Sequence, residues 1–370
     1  MALEHKALLR KREIDSGATL LRLALARGPG GLSLRDAAGW AAMMGIADIS
    51  NPGLKYRLNQ SVPFLGAIMG RLLAAKSASH GLRWHARALR MSDGTCIKKP
   101  GSKGTDWRVH AVFDLESGGF SHLELTDGKG AEALARGAAM PGEVRIADRG
   151  YCKAPALHRF RQDGGMKADF IVRVAWNGFH LTSQDGGAFD LIKYLEALPI
   201  DRTAHEVDVQ AYLNKGETLP LRLIALRKPE DAAEETRGKL RARASRTRKT
   251  LDPRTLIAAG FVILATSLAA DYPAEEVLAV YRLRWQIELA SKRLKSLLHI
   301  DKLPCMTERG ARPWLYAHLI LALLCDDLSR ELLESFPPGP CQSEIPAVVV
   351  DGAKGRGTGA DHGDTRPVDA

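Results

Sequence analysis

The sequence predicts an α/β protein in which a mixed sheet carries helices on its faces and follows a helical region at the N-terminus. Three observations support this fold class. Apolar residues recur at helical spacing up to about residue 85, three strand-like runs with glycine-rich turns follow, and strand-like and helix-like segments then alternate. We expect a helical region at 1–85, a core formed by 86–176 and 256–335, a β-rich insertion at 177–255 and a disordered tail at 336–370.

The N-terminal region is predicted to consist of helices separated by a short break. GATLLRLALA has apolar residues at helical spacing, and GLSLRDAAGWAAMMGI begins with a cap signal at Ser33, followed three residues later by Asp36. The break ISNPG precedes LKYRLNQSVPFLGAIMGRLL, whose first turns carry Lys55 and Arg57. A helix, a short break and a second helix resemble a helix–turn–helix that contacts DNA, and a plain helical bundle is the alternative.

The core sheet is predicted from residue 86 onward. The first three predicted strands are ARALRMSDGTCI, DWRVHAVFDLES and GFSHLELTDG. They are followed by a predicted helix, GAEALARGAAM, and a fourth strand, EVRIADRGY. A second helix, CKAPALHRFRQDGG, and a fifth strand, KADFIVRVAW, complete this part. Three strands, helix, strand, helix and strand in this order predict a mixed sheet with helices on its faces.

The insertion and the C-terminal part are predicted from weaker patterns. In the insertion, β structure is indicated by the segments FHLTSQDGGAF, AHEVDVQAYL and LPLRLIALRK. A basic run follows at 237–254 and contains eight Lys or Arg and one Asp. A solvated helix face or a mobile loop explains most charge runs, and contact with a DNA backbone is the alternative. FVILATSLA is then a predicted strand, 273–298 is a predicted helix, and 314–335 is a predicted amphipathic helix.

The composition is that of a soluble protein with a basic surface. A net charge of +10 and a pI near 9.4 suggest a polyanionic partner. The five cysteines are scattered and form no CxxC pair, which indicates free thiols in a reducing compartment. The N-terminus lacks the apolar core of a signal peptide, and the longest apolar run, 256–270, is too short for a membrane span. We therefore expect a cytoplasmic protein without a membrane partner.

Three acidic residues stand out by their positions. Asp93 lies in or at the end of the first strand, Asp148 ends the fourth strand, and Glu288 lies in the helix at 273–298. Each has a plain structural explanation. Asp93 precedes Gly94 and suits a turn, Asp148 suits a turn or helix cap, and Glu288 suits an ion pair four residues from Arg284 or Lys292.

A shared pocket is the alternative explanation for the three acids. Asp93 and Asp148 become neighbours if the first and fourth strands pair, and a helix on that sheet could bring Glu288 to them. Three converging carboxylates repel one another unless cations hold them together. Divalent ions with oxygen ligands meet that need, and two such ions can clamp the attacking and leaving oxygens of a phosphoryl displacement.

The segment YRLRWQIELASKRLK, residues 281–295, places four polar side chains on one helical stripe. Tyr281, Arg284, Glu288 and Lys295 have offsets of 0, 3, 7 and 14, which fall within a sector of roughly 60° in a continuous helix. Arg284 offers a planar fork to a phosphate, and Lys295 offers a point charge farther along. An ion-pair ladder explains the stripe as well as a phosphate-handling site does.

The chain resembles DDE transposases of the insertion-sequence-four type, which have an RNase H-like catalytic core. Three blocks carry the resemblance, and it covers roughly residues 80 to 330. The blocks are SDGTCI with Asp93, VRIADRGYCKAPAL with Asp148, and EEVLAVYRLRWQIELASKRLKSLL, which has Tyr281, Arg284, Glu288 and Lys295 at the spacing of the family's Tyr-Arg-Glu-Lys signature.

The resemblance implies a site and an activity. Asp93, Asp148 and Glu288 would hold two Mg²⁺ or Mn²⁺ ions per active site, and Tyr281, Arg284 and Lys295 would contact DNA phosphates. Arg149 and Tyr151 would support the site or contact DNA. The expected reaction is cleavage at transposon ends and strand transfer into target DNA, with the terminal inverted repeats paired by a homodimer on the nucleoid of a prokaryote. In some relatives a tryptophan before the glutamate stacks on a flipped base, but we expect Trp176 to pack in the core.

The chain also departs from the family's pattern. Aromatic residues often follow the signature glutamate, where this chain has Leu289, Ala290 and Ser291, and we expect this change to affect packing more than chemistry. The N-terminal region looks short, and the tail after 336 is unlike the family's C-terminus. A truncated or inactive DNA-binding remnant that represses transposition is therefore the alternative function, and a metal-dependent nuclease on the same core is a third.

Overall fold

The computed structural model describes residues 1–8, 13–75, 83–214 and 216–335. The predicted disordered tail at 336–370 lies outside the described residues. In the described part, no helix combines the length and the apolar character that a membrane span requires.

The N-terminal region is helical, as predicted, and its described residues form four helices, because the segment predicted as one helix after the break divides at Ser61. Serine side chains cap three of them, since Ser16, Ser33 and Ser50 each accept a hydrogen bond from a backbone N–H in the first turn. The last of these caps starts a helix inside the predicted ISNPG break, because Pro52 is favourable in a first turn. The helices are α1 (Gly17–Arg27), α2 (Leu34–Met43), α3 (Asn51–Gln60) and α4 (Val62–Ala75).

The core sheet has the predicted mixed topology. Its elements are β1 (Arg83–Trp84), β2 (Arg87–Ile97), β3 (Trp107–Asp114), β4 (Gly119–Asp127), β5 (Glu143–Ala147), α5 (Ala154–Asp163) and β6 (Asp169–Arg173). The strands lie in the order β4-β3-β2-β5-β6, with antiparallel pairs among β2, β3 and β4 and parallel pairs between β2 and β5 and between β5 and β6. This arrangement confirms the RNase H-like mixed sheet.

Residues 177–255 continue the core sheet instead of forming a sheet of their own. The elements are β7 (Leu181–Thr182), α6 (Leu191–Ala197), β8 (Ala204–Tyr212), β9 (Thr218–Arg227), α7 (Glu230–Thr247), α8 (Pro253–Ala259) and, after the insertion, β10 (Phe261–Thr266). The sheet extends from β6 through β10, β9 and β8 to β7, and every one of these pairs is antiparallel. Because two antiparallel steps separate β6 from β9, the carboxyl ends of β9, β6 and β5 lie at one edge of the sheet.

The helix predicted for 130–140 is wrong, since the structure has turns there. Gly137 adopts a φ of 75°, which ends any helical run. The guanidinium group of Arg145 donates hydrogen bonds to the carbonyl oxygens of Leu134, Arg136 and Ala138 at 3.1–3.4 Å. These carbonyl groups face a buried side chain instead of pairing along a helix.

The single helix predicted for 273–298 is also wrong, because the chain forms two helices there. The structure has α9 (Ala274–Arg282), α10 (Trp285–Ser296) and then α11 (Glu308–Ser335). At the break, Leu283 N donates to Val280 O and Gln286 N donates to Leu283 O, which are tighter i to i−3 bonds. The four signature residues therefore do not lie on one continuous helical stripe.

Candidate active site

Asp93 lies in the interior of β2, which continues through Gly94 to Ile97. The turn considered for this residue is therefore absent. In the parallel register of β2 and β5, Ser92 pairs with Ala147, so Asp93 and Asp148 are the next residues along the two strands. The sheet thus brings these two aspartates side by side, as the sequence predicted.

Asp148 follows β5 and precedes a short 3-10 helix at Arg149–Tyr151 without making a side-chain cap bond. Its Oδ1 atom lies 3.4 Å from the hydroxyl group of Tyr281, which donates to it. Burial, and then the charge of Asp148, raise the pKa of Tyr281 to about 12. Tyr281 therefore keeps its proton at neutral pH and remains a hydrogen-bond donor to Asp148.

Glu288 lies in the first turn of α10, and its Oε1 atom forms an ion pair with Nη1 of Arg284 at 2.8 Å. Half of the Glu288 side chain is exposed to solvent. The ion pair considered for Glu288 is thus present, and the guanidinium group of Arg284 also lies 5.8 Å from the ring centre of Tyr281. Arg284 therefore connects Glu288 to the tyrosine that contacts Asp148.

Ser291 contacts Asp93, although we expected the change after the signature glutamate to affect mainly packing. Its hydroxyl group donates to Oδ2 of Asp93 at 2.8 Å, and the residue is 7% exposed. Ser291 lies three residues beyond Glu288, which is one turn of α10 and the same side of the helix. The contact compensates the carboxylate of Asp93 within a strand and joins α10 to β2.

Glu132 is a fourth carboxylate at this edge, in a segment that was predicted as a helix and not as part of the site. A Cβ atom at Gly94 would lie 2.9 Å from Oε1 of Glu132, and one at Gly150 would lie closer still to Oε2. Gly94 follows Asp93 directly, and Gly150 is two residues after Asp148. The glycine beside each aspartate was the available signal, because both leave room for the Glu132 carboxylate.

The remaining predicted residues differ in exposure. Tyr151 is 4% exposed, and burial followed by the charges of Asp93 and Glu132 raises its pKa, so its buried side chain lies near these two carboxylates. Arg149 is exposed beside Asp148, and Lys295 is partly exposed on α10. The structure therefore separates the buried Tyr151 from two cations that solvent can reach.

Trp176 packs at the end of the sheet, as expected. Its indole N–H donates to Oγ1 of Thr255 at 3.0 Å, and the guanidinium group of Arg254 lies 4.5 Å from its ring centre. The ring also contacts the hydrophobic core.

The carboxylate oxygens at this edge are the ligands that hard divalent cations prefer. Within the described ranges, no three His, Cys, Asp or Glu side chains are close enough together to form a metal site as they stand. The oxygen ligands that Asp93, Asp148 and Glu288 offer fit divalent ions. Glu288 forms an ion pair with Arg284. In the described residues, the carboxylate of Glu288 is therefore paired with Arg284 and is not grouped with those of Asp93 and Asp148.

The sequence matches a transposase family and two transposases of Escherichia coli over much of its length. The family described as "Transposase DDE domain" matches residues 84–324. The chain is 40% identical over 342 residues to InsL of insertion sequence element IS186A from Escherichia coli K12, covering 91% of each chain. It is also 40% identical over 343 residues to the transposase of IS421 from Escherichia coli, again covering 91% of each.

More distant similarities extend across much of the chain. The transposase of IS231F from Bacillus thuringiensis subsp. israelensis is 27% identical over 314 residues, which cover 75% of this chain and 65% of that protein. A cryo-EM structure of the piggyBac transposase synaptic complex with hairpin DNA aligns with a TM-score of 0.38 and 11% identity, covering 92% of this chain and 83% of that one.

Proposed function

Because this chain belongs to the DDE transposase family, we propose that it cuts DNA at the ends of an insertion sequence and joins the freed ends to target DNA. The observation that carries the proposal is the pairing of β2 with β5, which places Asp93 beside Asp148 at one edge of the sheet. The contacts of Ser291 and Tyr281 attach the helix pair that carries Glu288 to the same two aspartates.

Asp93, Asp148 and Glu288 would hold the divalent ions, and we propose two ions of Mg²⁺ or Mn²⁺. When bound, such ions stabilise the charge that develops on the scissile phosphodiester and favour deprotonation of the attacking water or 3′ hydroxyl. Tyr281 orients the Asp148 carboxylate through its hydroxyl group. Ser291 does the same for Asp93 from the other side.

Arg284 has two roles in this proposal. In the structure it neutralises Glu288, and a guanidinium group that gives up this carboxylate is free to bind a phosphate in the same planar manner. DNA phosphate and Glu288 thus compete for one side chain. We infer that arrival of the substrate DNA releases Glu288 toward the two aspartates.

A cleavage assay tests the proposal. Purified protein is incubated with a duplex that carries the element's terminal inverted repeat, with Mg²⁺ or Mn²⁺, and nicked and joined products are separated by size. We expect both products from the wild type and a loss of at least about 100-fold for Glu288→Gln, because a neutral amide is a poor metal ligand. Glu196→Gln, an exposed residue of α6, is the matched control and should act like the wild type.

Two results would contradict the proposal. Binding without any cleavage would identify a DNA-binding remnant, and cleavage without joining would identify a nuclease. We also propose that a homodimer pairs the two ends. Sedimentation of the protein with end duplexes of two different lengths reveals whether a single complex contains both duplexes.

A further inference from the structure

We propose that a basic surface beside the active site binds the phosphate backbone of the duplex that flanks the scissile phosphodiester. We define the basic surface by two groups of residues, which are Arg149, Arg173 and Lys228 at the edge of the sheet, and Arg243, Arg246, Arg248 and Lys249 at the end of α7. The proposal rests on the proposed function, since it assigns a place to the DNA that this function cuts.

The strand topology places the first group of the basic surface on the same edge of the sheet as the aspartates. Lys228 directly follows β9, and Asp148 directly follows β5, and the carboxyl ends of these two strands share one edge. Three strand spacings separate β5 from β9, which corresponds to roughly 14 Å. DNA whose cleaved phosphate lies at Asp148 would therefore pass over or near Lys228.

The first group is a cluster of like charges. Burial lowers the pKa of Lys228, and the neighbouring charges of Arg173, Arg149 and Arg237 lower it further. The ammonium group donates to the carbonyl oxygen of Ala259 at 2.8 Å. Within the part of the chain that the structure describes, no carboxylate lies within ion-pair distance of Lys228, Arg149 or Arg173, so a bound polyanion would relieve their mutual repulsion.

The second group comes from the uneven distribution of charge along α7. Four acids lie in its first two turns, and they pair with the cations that follow, as Glu230 does with Arg237 at 2.6 Å and Glu234 does with Arg241. From 236 to 251 the sequence has no Asp or Glu. The C-terminal half of α7 therefore carries cations in excess.

These cations face solvent. Ala233 is buried in α7, and the residues after it are not. In the described ranges, no carboxylate lies within ion-pair distance of the second group. From Arg243 to its end at Thr247 the helix rises about 6 Å, a length over which duplex DNA presents several phosphates.

A solvated helix end is the plain alternative, because cations stabilise the C-terminus of any helix. One or two cations in the last turn would suffice for that effect. Here the excess lies on a helix that contacts the first group, since Lys228 donates a hydrogen bond to the hydroxyl group of Thr236 in α7 at 3.3 Å. The first group itself adjoins the catalytic edge and has no paired acids among the described residues. This combination favours a polyanion as the partner, and the family to which the chain belongs acts on DNA.

Salt-dependent binding tests the proposal without any catalytic step. The variant combines Arg243→Gln, Arg246→Gln and Lys249→Gln, and the probe is an end duplex with about 20 base pairs of flank on each side, measured without divalent metal. We expect the slope of log affinity against log salt to fall by roughly 2 to 3, because each lost phosphate contact contributes about 0.9. Affinity at moderate salt should fall by at least about 10-fold.

The matched control removes the same charge elsewhere, by Lys103→Gln, Lys193→Gln and Arg202→Gln at exposed positions outside the basic surface. It should change the slope by less than about 1. Equal slopes for the two variants would overturn the proposal, as would a change in the oligomeric state of the α7 variant with the slope unaffected. Cleavage is measured in a separate assay with metal. If the salt dependence of binding requires the α7 cations but the wild type does not cut DNA, the proposed function is contradicted and the basic surface is not.

Discussion

Two hydroxyl groups contact the two aspartates of the candidate site, one from each side of the break between α9 and α10. Tyr281 lies in the last turn of α9 and contacts Asp148, while Ser291 lies in α10 and contacts Asp93. Because the two contacts act on different helices and different strands, they fix the position of α10 against the sheet edge. Glu288 lies between them in sequence and is placed by both.

At the scale of single residues, we predict that Ser291→Ala weakens the site without unfolding the protein. Loss of a hydrogen bond to a charged group costs about 1.5–3 kcal/mol, and part of this should appear as a higher concentration of Mg²⁺ needed for half-maximal cleavage, by about 10-fold. Ser291→Thr, which keeps the hydroxyl group, should restore much of the metal affinity. Ser296→Ala, at an exposed position of α10, is the control. An unchanged metal requirement in Ser291→Ala would show that the contact with Asp93 has no role.

The sequence predicted the aspartates but could not predict their supporting contacts. Asp93 and Asp148 follow from the positions of acids on two strands that would make them neighbours if the strands paired, and the strands do pair. Ser291 and Asp93 are 198 residues apart, and nothing in the spacing around either one refers to the other. Glu132 was missed for a related reason, because its segment was predicted as a helix and is a series of turns.

At the scale of secondary-structure elements, buried charges hold β2, β3 and β5 together. Glu143 at the start of β5 is 1% exposed and pairs with Arg145 at 2.6 Å and with Arg90 at 2.8 Å. Arg90 also pairs with Asp114 at the end of β3. The two most buried charges, Glu143 and Arg145, depend on each other, because removing one leaves the other as a buried charge without a counter-ion.

We predict that Glu143→Gln lowers the free energy of unfolding by about 3–5 kcal/mol, because Arg145 is left as a buried charge without its carboxylate. Urea denaturation at pH 7 measures the change. Glu124→Gln is the matched control, since Glu124 pairs with Arg136 at 2.7 Å but is 38% exposed, and it should cost less than about 1 kcal/mol. Similar losses in the two variants would contradict a special role for the buried set.

The elements that the sequence predicted correctly are those with strong local signals. The strands at 143–147, 204–212 and 261–266 have dense apolar or β-branched residues, and Ser33 caps α2 as expected. The two wrong helices both fail for tertiary reasons. Arg145 binds the carbonyl groups of one segment, and the contacts of Tyr281 and Ser291 hold the other on both sides of its break.

At the scale of the whole molecule, one sheet and one helix connect distant parts of the chain. Among the residues that the structure describes, ten strands form a continuous sheet, so the insertion and the core share their hydrogen bonds. The helices α1, α3 and α4 pack against α11, which brings the two ends of the described chain together. The sequence predicted these helices but not their packing, since the apolar faces of α4 and α11 carry no information about which partner each one covers.

His318 lies in this packing of α11 and makes it sensitive to acid. The residue is 1% exposed, its Nδ1 atom donates to the carbonyl oxygen of Trp314 at 2.8 Å, and a Cβ atom at Gly28 of α1 would lie 3.4 Å from Nδ1. Burial lowers the pKa of His318 to about 4, and burial likewise lowers the pKa of His110 in β3 to about 4. Both imidazole groups are therefore neutral in the folded protein well below pH 6.5.

The sign of the pH dependence follows from these values. Between pH 6.5 and 4 the unfolded chain binds a proton at each of these histidines while the folded chain does not, so acid favours unfolding. We predict that the free energy of unfolding falls by roughly 2 kcal/mol per buried histidine between pH 7 and pH 5. His318→Asn, which keeps a donor for Trp314, should remove its share of this fall in urea denaturation at the two pH values. His180→Asn, at an exposed position, should leave the fall unchanged. If His318→Asn and the wild type lose the same stability, then His318 takes up its proton in the folded protein and the packing of α1 on α11 admits the charge.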